Sequence, residues 1–270
     1  IDSERAIFLI EKMNLKNADS MGEETTQVPC LILGDSGTSK TSTVLIYSKR
    51  FNEENKKSLK RVNFSSATSP STFQETIDDE LEKSGNDFIP ILDKNLVVFL
   101  DDISMPYVNK WGDQVTLELV RQLLEFGGYY FIGQTENRGV MKKISKLSYI
   151  AAMNHPKGGK NDIPNRLKRH FFIFNMVLPN EQSVQDIYGT ITHEFFHQKG
   201  KGITQFIQPL KETSKLLPKL TADLLKKMTQ KFQPTPIKFH YFYNMRELSR
   251  TFQGIFRGDR ECLNKSMEKY

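Results

Sequence analysis

Short apolar runs alternate with amphipathic segments over the first two thirds of the chain. Apolar runs bounded by charges or turn residues are typical of strands buried in a parallel sheet. Segments with apolar residues every three or four positions predict the helices that cover such a sheet. The predicted strands are residues 28–33, 61–64, 96–100, 147–153 and 171–177. The predicted helices between them are 40–51, 72–83 and 115–126. This alternation predicts the α/β class, with a parallel sheet flanked by helices.

The pattern changes after Leu178 and Pro179, where strand signals give way to helical ones. Helices are predicted at residues 181–197, 207–217, 220–232 and 245–256. We therefore expect an α/β unit over residues 1–179 and a smaller helical unit over residues 180–270. The stretch from Gly127 to Gly139 predicts an exposed hairpin or loop inserted into the first unit.

The composition is that of a folded globular protein. Of 270 residues, 26% are charged and 38% hydrophobic, which argues against disordered and fibrous classes. No apolar run approaches the ~18 residues needed to span a bilayer, so no membrane contact is expected. Two cysteines cannot form a disulfide framework, which indicates a reducing compartment such as the cytoplasm. Because the chain begins with Ile1 and not Met, we expect it to be part of a longer polypeptide.

The positive charge is concentrated toward the end of the chain. Residues 199–270 contain 15 Lys or Arg and six Asp or Glu, whereas the net charge of the whole chain is +6. One interpretation is a solvated helical face, and the other is a surface for an acidic partner such as nucleic acid. Direct nucleic-acid binding is not the expectation, because no basic stretch is interleaved with aromatic residues.

The most specific motif lies between the first predicted strand and the first predicted helix. Its sequence is Gly34-Asp35-Ser36-Gly37-Thr38-Ser39-Lys40-Thr41. Backbone N–H groups of such a loop and the following helix N-terminus bind phosphate oxygens. Lys40 would reach the β- and γ-phosphates, and Thr41 would place its hydroxyl on Mg²⁺. Ser39 replaces the last glycine of the usual motif, which leaves the loop less permissive there.

An apolar strand that ends in two acids supplies the partner of this loop. Asp101, 61 positions after Lys40, would hold Mg²⁺ through water, and Asp102 stands where the base that polarises water is expected. The alternative is a pair of acids that cap the following turn. Asn154 follows the next strand and would orient water or the γ-phosphate, or it simply forms a turn before His155 and Pro156.

Three arginines are further candidates. Arg166 and Arg169 precede the last strand, from which an arginine finger can reach a neighbour's γ-phosphate. The alternative is a solvated basic stretch. Arg246 opens a helix of the second unit, where it could contact the γ-phosphate from a lid.

A competing motif is His193-Glu194-Phe195-Phe196-His197, which fits the H-E-x-x-H zinc pattern. No third histidine follows at the extended spacing, because Gln198, Lys199 and Gly200 end the helix. Two surface histidines on one helical face are the preferred interpretation.

Together, these motifs resemble the third AAA+ module of axonemal dynein heavy chains of outer-arm type. The most specific stretches are Asp-Asp-Ile-x-Met-Pro at 101–106 and Asn-Asp-Ile-Pro-x-Arg-Leu-Lys-Arg at 161–169. The resemblance also covers residues 34–41, 111–114, 158–160 and 245–254, and extends from about Leu31 to Gly254.

The resemblance implies a fold, a ligand and partners. The fold would be a P-loop AAA+ sheet in the order 5-1-4-3-2, followed by a helical lid that the chain's end truncates. The ligands would be ATP or ADP with Mg²⁺. The chain would begin after the segment that packs on the adenine in the family. The partners would be the neighbouring AAA+ modules of a six-module ring that drives a microtubule motor in the axoneme of a cilium or flagellum.

The resemblance also implies that this module regulates the motor. Asp102 stands where Glu is usual, so slow hydrolysis is expected. The alternatives are a structural nucleotide-binding module that does not hydrolyse ATP and, less favoured, an AAA+ ATPase that acts on nucleic acid.

Overall fold

The computed structural model describes residues 2–14, 27–51, 56–132, 138–156, 161–198, 205–235, 237–238, 240–241 and 243–267. The chain divides into two compact units. The first comprises Ile1–Asp35 and Ser39–Val177, and the second comprises Ser36–Thr38 and Leu178–Tyr270. In the described part of the chain, no helix is both long and apolar enough to cross a membrane.

A parallel sheet of five strands forms the centre of the first unit. Its strands are β1 (Cys30–Leu33), β2 (Lys57–Asn63), β5 (Asn95–Asp101), β8 (Leu147–Met153) and β9 (Phe172–Asn175). The spatial order is β2-β5-β8-β1-β9, and every neighbouring pair is parallel. This is the order that the resemblance implied, and the α/β class with a parallel sheet is confirmed.

Helices cover both faces of this sheet. They are α1 (Asp2–Met13), α2 (Lys40–Ser48), α3 (Pro70–Asp78), α4 (Val115–Phe126) and α5 (Asn165–Lys168). Because side chains alternate along a strand, Val97 and Phe99 of β5 pack with α1 and α2. Val98 and Leu100 point to the other face and pack with α3 and α4. The buried sheet therefore fixes the face on which each residue at the end of β5 lies.

Two hairpins extend the first unit. One pairs β3 (Leu81–Ser84) with β4 (Asp87–Pro90), and the other pairs β6 (Gly128–Tyr130) with β7 (Met141–Lys143). The prediction of one helix over residues 72–83 was therefore wrong at its end. Gly85, with φ 63°, and Asn86 form a two-residue turn that the helical periodicity concealed.

The predicted hairpin after Gly127 exists, but it is not wholly exposed, because Tyr129 is completely buried. Residues 133–137 of that insertion lie outside the described residues. Helix α1 and the first hairpin were not predicted, and β2 begins earlier, at Lys57.

From Glu181 onward, the described secondary structure of the second unit is helical. Its helices are α6 (Glu181–His197), α7 (Gln208–Ser214), α8 (Leu217–Lys231), α9 (Met245–Phe256) and α10 (Arg260–Met267). Asn180 and Asn244 cap α6 and α9 by accepting hydrogen bonds from backbone N–H groups. The core includes Tyr188 of α6 stacked on Phe252 of α9, with ring centroids 4.4 Å apart.

Candidate functional site

The loop between β1 and α2 has the backbone of a phosphate-binding turn. Gly37 has φ 91°, and Ser39 has φ 64° immediately before α2 begins at Lys40. Glycine adopts such angles without strain, whereas a serine does so at a cost of about 1 kcal/mol. In the loop, Gly34 and Thr38 are buried, Ser36 and Gly37 are half-buried, and Asp35 and Ser39 are exposed.

The Lys40 ammonium is held by the carbonyls of its own loop. Lys40 Nζ donates to the carbonyl oxygen of Gly34 at 2.8 Å and to that of Asp35 at 2.9 Å. It also donates to Asn154 Oδ1 at 3.1 Å, across 114 positions of sequence. Only 8% of Lys40 is exposed. The structure thus brings Lys40 and Asn154 together, at the point where β1 and its neighbour β8 both end.

Thr41 and Asp101 form the second pair that the sequence indicated. Thr41 Oγ1 donates to Asp101 Oδ2 at 2.9 Å and lies 3.2 Å from Oδ1. Asp101 lies on the same face of β5 as Phe99, which is the face that α2 covers. Since the hydroxyl gives its one proton to the carboxylate, its lone pairs remain able to bind a cation. This hydroxyl and carboxylate are a donor set that suits Mg²⁺.

Arg61 is a member of this cluster that the sequence did not reveal. Its Nη2 lies 2.7 Å from Asp101 Oδ2, and the two residues form an ion pair. Arg61 lies on β2, which pairs with β5 in parallel register. The only available signal was a basic residue at the start of a predicted strand, and such residues are too common to single out.

Asp102 lies just after the end of β5 and is exposed. Its backbone is left-handed, with φ 54°, and Met105 N donates to its carbonyl oxygen at 2.9 Å. Aspartate tolerates this conformation better than most residues. The turn ends the regular alternation of side chains along the strand, so the direction of Asp102 does not follow from the pattern of β5.

Arg166 lies on the short helix α5, and Arg169 directly follows that helix. Among the described residues, their ion pairs are with acidic residues on or just before α4 and not with the residues around Lys40. Arg166 Nη2 is 3.2 Å from Glu118 Oε2. Arg169 Nη2 donates to Glu125 Oε1 at 3.1 Å, and Glu125 also pairs with Arg121. Both arginines are more than half exposed. Carboxylates of α4 therefore hold both candidates at the surface of the first unit.

Arg246 belongs to the second unit, where it is the second residue of α9. Its side chain is exposed, and its backbone N–H donates to the cap residue Asn244 at 2.8 Å.

The two histidines of the H-E-x-x-H motif stack on each other on α6. Their ring centroids are 4.0 Å apart, and His197 Nδ1 donates to the carbonyl oxygen of His193 at 2.9 Å. Within the described residues, no group of three or more histidines, cysteines or carboxylates could hold a metal ion. The stacked rings lie on the surface of α6.

Comparison with protein families gives two matches along the chain. Residues 5–179 match the family described as the P-loop containing dynein motor region, and residues 217–269 match the AAA+ lid domain. The first match covers the sheet, the phosphate-binding loop and Asp101. The second covers helices of the second unit.

Curated relatives agree with these families. Over 87% of its own length, the chain is 44% identical to the dynein gamma chain of the flagellar outer arm of Chlamydomonas reinhardtii. It is 41% identical over 88% to dynein axonemal heavy chain 5 of Rattus norvegicus, and 39% identical over 94% to heavy chain 8 of Homo sapiens. The chain spans only 5–7% of the length of these relatives.

The family match accounts for the loop and the strand order together, and it implies that the first unit binds a nucleotide. On the sequence, the fold and these relatives, the chain belongs to the dynein motor-region family of P-loop AAA+ ATPases, in its axonemal heavy-chain branch.

Proposed function

We propose that this chain is an ATP-binding regulatory AAA+ module, third in the ring of an axonemal dynein heavy chain of outer-arm type. Residues 1–179 would be the large nucleotide-binding subdomain, and residues 180–270 the lid. The observation that supports this proposal is a pair of hydrogen bonds at the carboxyl ends of the parallel strands. Lys40 donates to Asn154, and Thr41 donates to Asp101. Ligands of α/β proteins bind at the carboxyl ends of parallel strands, where these four side chains lie.

Each candidate site residue that the sequence indicated has a role in this proposal. The 34–41 loop and Lys40 bind the phosphates of ATP or ADP. Thr41 and Asp101 hold Mg²⁺, which neutralises phosphate charge when it is bound. Asp102 and Asn154 position the attacking water, and Arg246 would serve the γ-phosphate from the lid. Arg166 or Arg169 would serve the site of a neighbouring module.

The partners follow from the family. The module would contact the neighbouring AAA+ modules of its own heavy chain and would affect the microtubule through the complete motor. Its place would be the axoneme of a cilium or flagellum, which is supported by the flagellar outer-arm relative.

The complete coding sequence of the heavy chain tests the position of this module in the ring. The loop at residues 34–41 should be the third phosphate-binding loop of the heavy chain, and any other position would contradict the assignment.

Nucleotide binding is tested by Lys40→Ala. We expect a loss of ATP affinity of roughly a hundredfold, because charge-assisted hydrogen bonds contribute about 1.5–3 kcal/mol each. Calorimetry with Mg·ATP measures the affinity, and thermal unfolding establishes that the variant is folded. Lys49→Ala is the matched control, since Lys49 is an exposed lysine just after the same helix. Equal affinities of the Lys40 variant and the wild type would refute the assignment.

Slow hydrolysis is proposed because Asp102 has a shorter side chain than the usual Glu. One methylene less reduces the reach by about 1.5 Å, and a misplacement of 1 Å can cost roughly a hundredfold in rate. We expect Asp102→Glu to accelerate single-turnover hydrolysis in the assembled ring when the other sites are disabled. Asp102→Asn, which also tolerates φ 54°, should abolish hydrolysis and serves as the control.

A site that binds nucleotide without turnover is the alternative. Hydrolysis in neither the wild type nor Asp102→Glu, with tight ATP binding in both, would establish this alternative.

A further inference from the structure

Arg61 lies where the arrangement of the sheet directs its side chain toward the magnesium-binding acid. Along β2, Leu59 packs against the α2 side of the sheet, and Val62 packs against the other side. Because side chains alternate, Arg61 is on the same side as Leu59 and therefore on the side of Thr41. In the register with β5, Asn63 stands opposite Asp101 and Arg61 opposite Phe99. The long Arg61 side chain extends forward along the strand to reach the carboxylate.

Because the Asp101 side chain is buried, its charge needs a partner, and Arg61 provides one. The Asp101 side chain is 7% exposed and the Arg61 side chain 39%. Thr41, which donates to the same carboxylate, is uncharged. The Arg61 guanidinium forms an ion pair with Asp101, with Nη2 2.7 Å from Oδ2. A buried carboxylate without such a partner is costly and repels other anions.

We propose that Arg61 is a positioning residue that neutralises Asp101 and thereby sets how strongly nucleotide binding depends on Mg²⁺. The inference rests on the proposed nucleotide site. Two cations then share one carboxylate: the guanidinium, which is built into β2, and Mg²⁺, which arrives with the nucleotide. While Arg61 neutralises Asp101, phosphates can bind next to the carboxylate without a metal ion.

Removal of the guanidinium charge should affect the two forms of the nucleotide in opposite senses. Metal-free ATP would meet an uncompensated carboxylate and bind more weakly. Mg·ATP would meet a carboxylate with its full charge, which attracts the metal ion. The ratio of the two affinities therefore increases. A residue that merely oriented Asp101 for the metal ion would produce the reverse, because its loss would weaken Mg·ATP more than free ATP.

The experiment measures ATP affinity of this chain by calorimetry in EDTA and in excess Mg²⁺. In Arg61→Gln, we expect the ratio of the Mg²⁺ affinity to the metal-free affinity to rise about tenfold, as expected for one charge near a partly screened phosphate. Arg61→Ala should give the same result and provides a second charge-removing variant. Arg61→Lys keeps the charge and should restore a ratio within about threefold of the wild type. Thermal unfolding is measured for each variant.

Lys60→Gln is the matched control. Lys60 is the neighbouring cation on β2, but it pairs with Glu80, 2.7 Å away, and not with Asp101. This substitution removes the same charge and should leave the ratio unchanged. A ratio that stays constant or falls in folded Arg61→Gln or Arg61→Ala overturns the role of Arg61, as does an equal rise in Lys60→Gln. A wild-type chain that binds ATP in neither buffer overturns the nucleotide site itself, and the role of Arg61 with it.

Discussion

Ser39 combines an unusual backbone with a side chain that contributes little to the structure around it. It is the N-cap of α2 in the left-handed conformation, with φ 64° and ψ 20°, and its side chain makes no capping hydrogen bond. The backbone carbonyl still accepts from Thr43 N at 2.9 Å. Since a backbone carbonyl is common to all residues, Gly would keep that bond and lose the strain. This is the position at which the phosphate-binding motif usually has glycine.

We predict that Ser39→Gly stabilises the chain by about 0.5–1 kcal/mol, because glycine adopts positive φ without steric cost. Thermal or urea unfolding measures the change. Ser48→Gly, the same substitution within α2, should instead destabilise by about 0.5–1 kcal/mol. A lower stability of Ser39→Gly would mean that the serine side chain stabilises the loop in a way that its hydrogen bonds do not reveal.

At the scale of secondary-structure elements, a buried lysine joins α3 to both hairpins of the first unit. Lys142 of β7 is 5% exposed and pairs with Asp78 at the end of α3. Its ammonium also lies 4.0 Å from the ring centre of Phe88 on β4. The Tyr129 hydroxyl on β6 donates to the same Asp78 carboxylate. Burial, and then the bond to Asp78, raise the pKa of Tyr129, so the phenol remains a donor throughout the physiological range.

We predict that Asp78→Asn lowers the free energy of unfolding by about 2 kcal/mol. It leaves the Lys142 ammonium buried without a carboxylate, and the usual 3–5 kcal/mol for a fully buried pair is reduced because Asp78 is 29% exposed. Urea unfolding of the single variants and of Asp78→Asn combined with Lys142→Met measures the effect. The double variant should lose less than the sum of the two single losses.

Lys143→Met is the control for this network, because Lys143 is adjacent on β7 and exposed. Its effect should remain within about 0.5 kcal/mol. Additive losses in the double variant would show that Lys142 and Asp78 stabilise the hairpins independently.

At the scale of the whole molecule, the role that we propose for Arg166 and Arg169 concerns a neighbouring module of the heavy chain. We predict that Arg166→Ala or Arg169→Ala leaves the ATP affinity of this chain within about twofold, because arginine fingers act on a neighbour's site. Loss of their exposed ion pairs to Glu118 and Glu125 should cost no more than about 1 kcal/mol of stability. Calorimetry and thermal unfolding measure the two quantities.

In the complete ring, the same substitutions should slow nucleotide-dependent closure at the adjacent site. Arg257→Ala, a change of an arginine after α9, is the control for loss of one positive charge. A large loss of ATP affinity in the isolated chain would instead assign Arg166 or Arg169 to the chain's own site or to its folding.

Helices were predictable from the sequence where apolar residues kept a helical spacing over the whole element and no farther. The helices Val115–Phe126, Glu181–His197 and Met245–Phe256 were predicted with their observed bounds. The first hairpin was missed because Phe73, Ile77 and Leu81 continue a helical spacing past the end of α3. In the structure, Leu81 belongs to β3, where pairing with Pro90 replaces the helical hydrogen bonds.

The sequence by itself determined the phosphate-binding loop, the acid at the end of β5 and the α/β class, because each depends on residues close together in the chain. Only the tertiary structure decided that Lys40 donates to Asn154 and that Arg61 pairs with Asp101. Those contacts depend on strand order, which places β8 between β1 and β5 and β2 beside β5. Strand order is set by how the helices pack on both faces of the sheet. For that reason, the sequence did not distinguish Arg61 from other basic residues on strands. Its contact with the buried Asp101 carboxylate is evident only in the folded sheet.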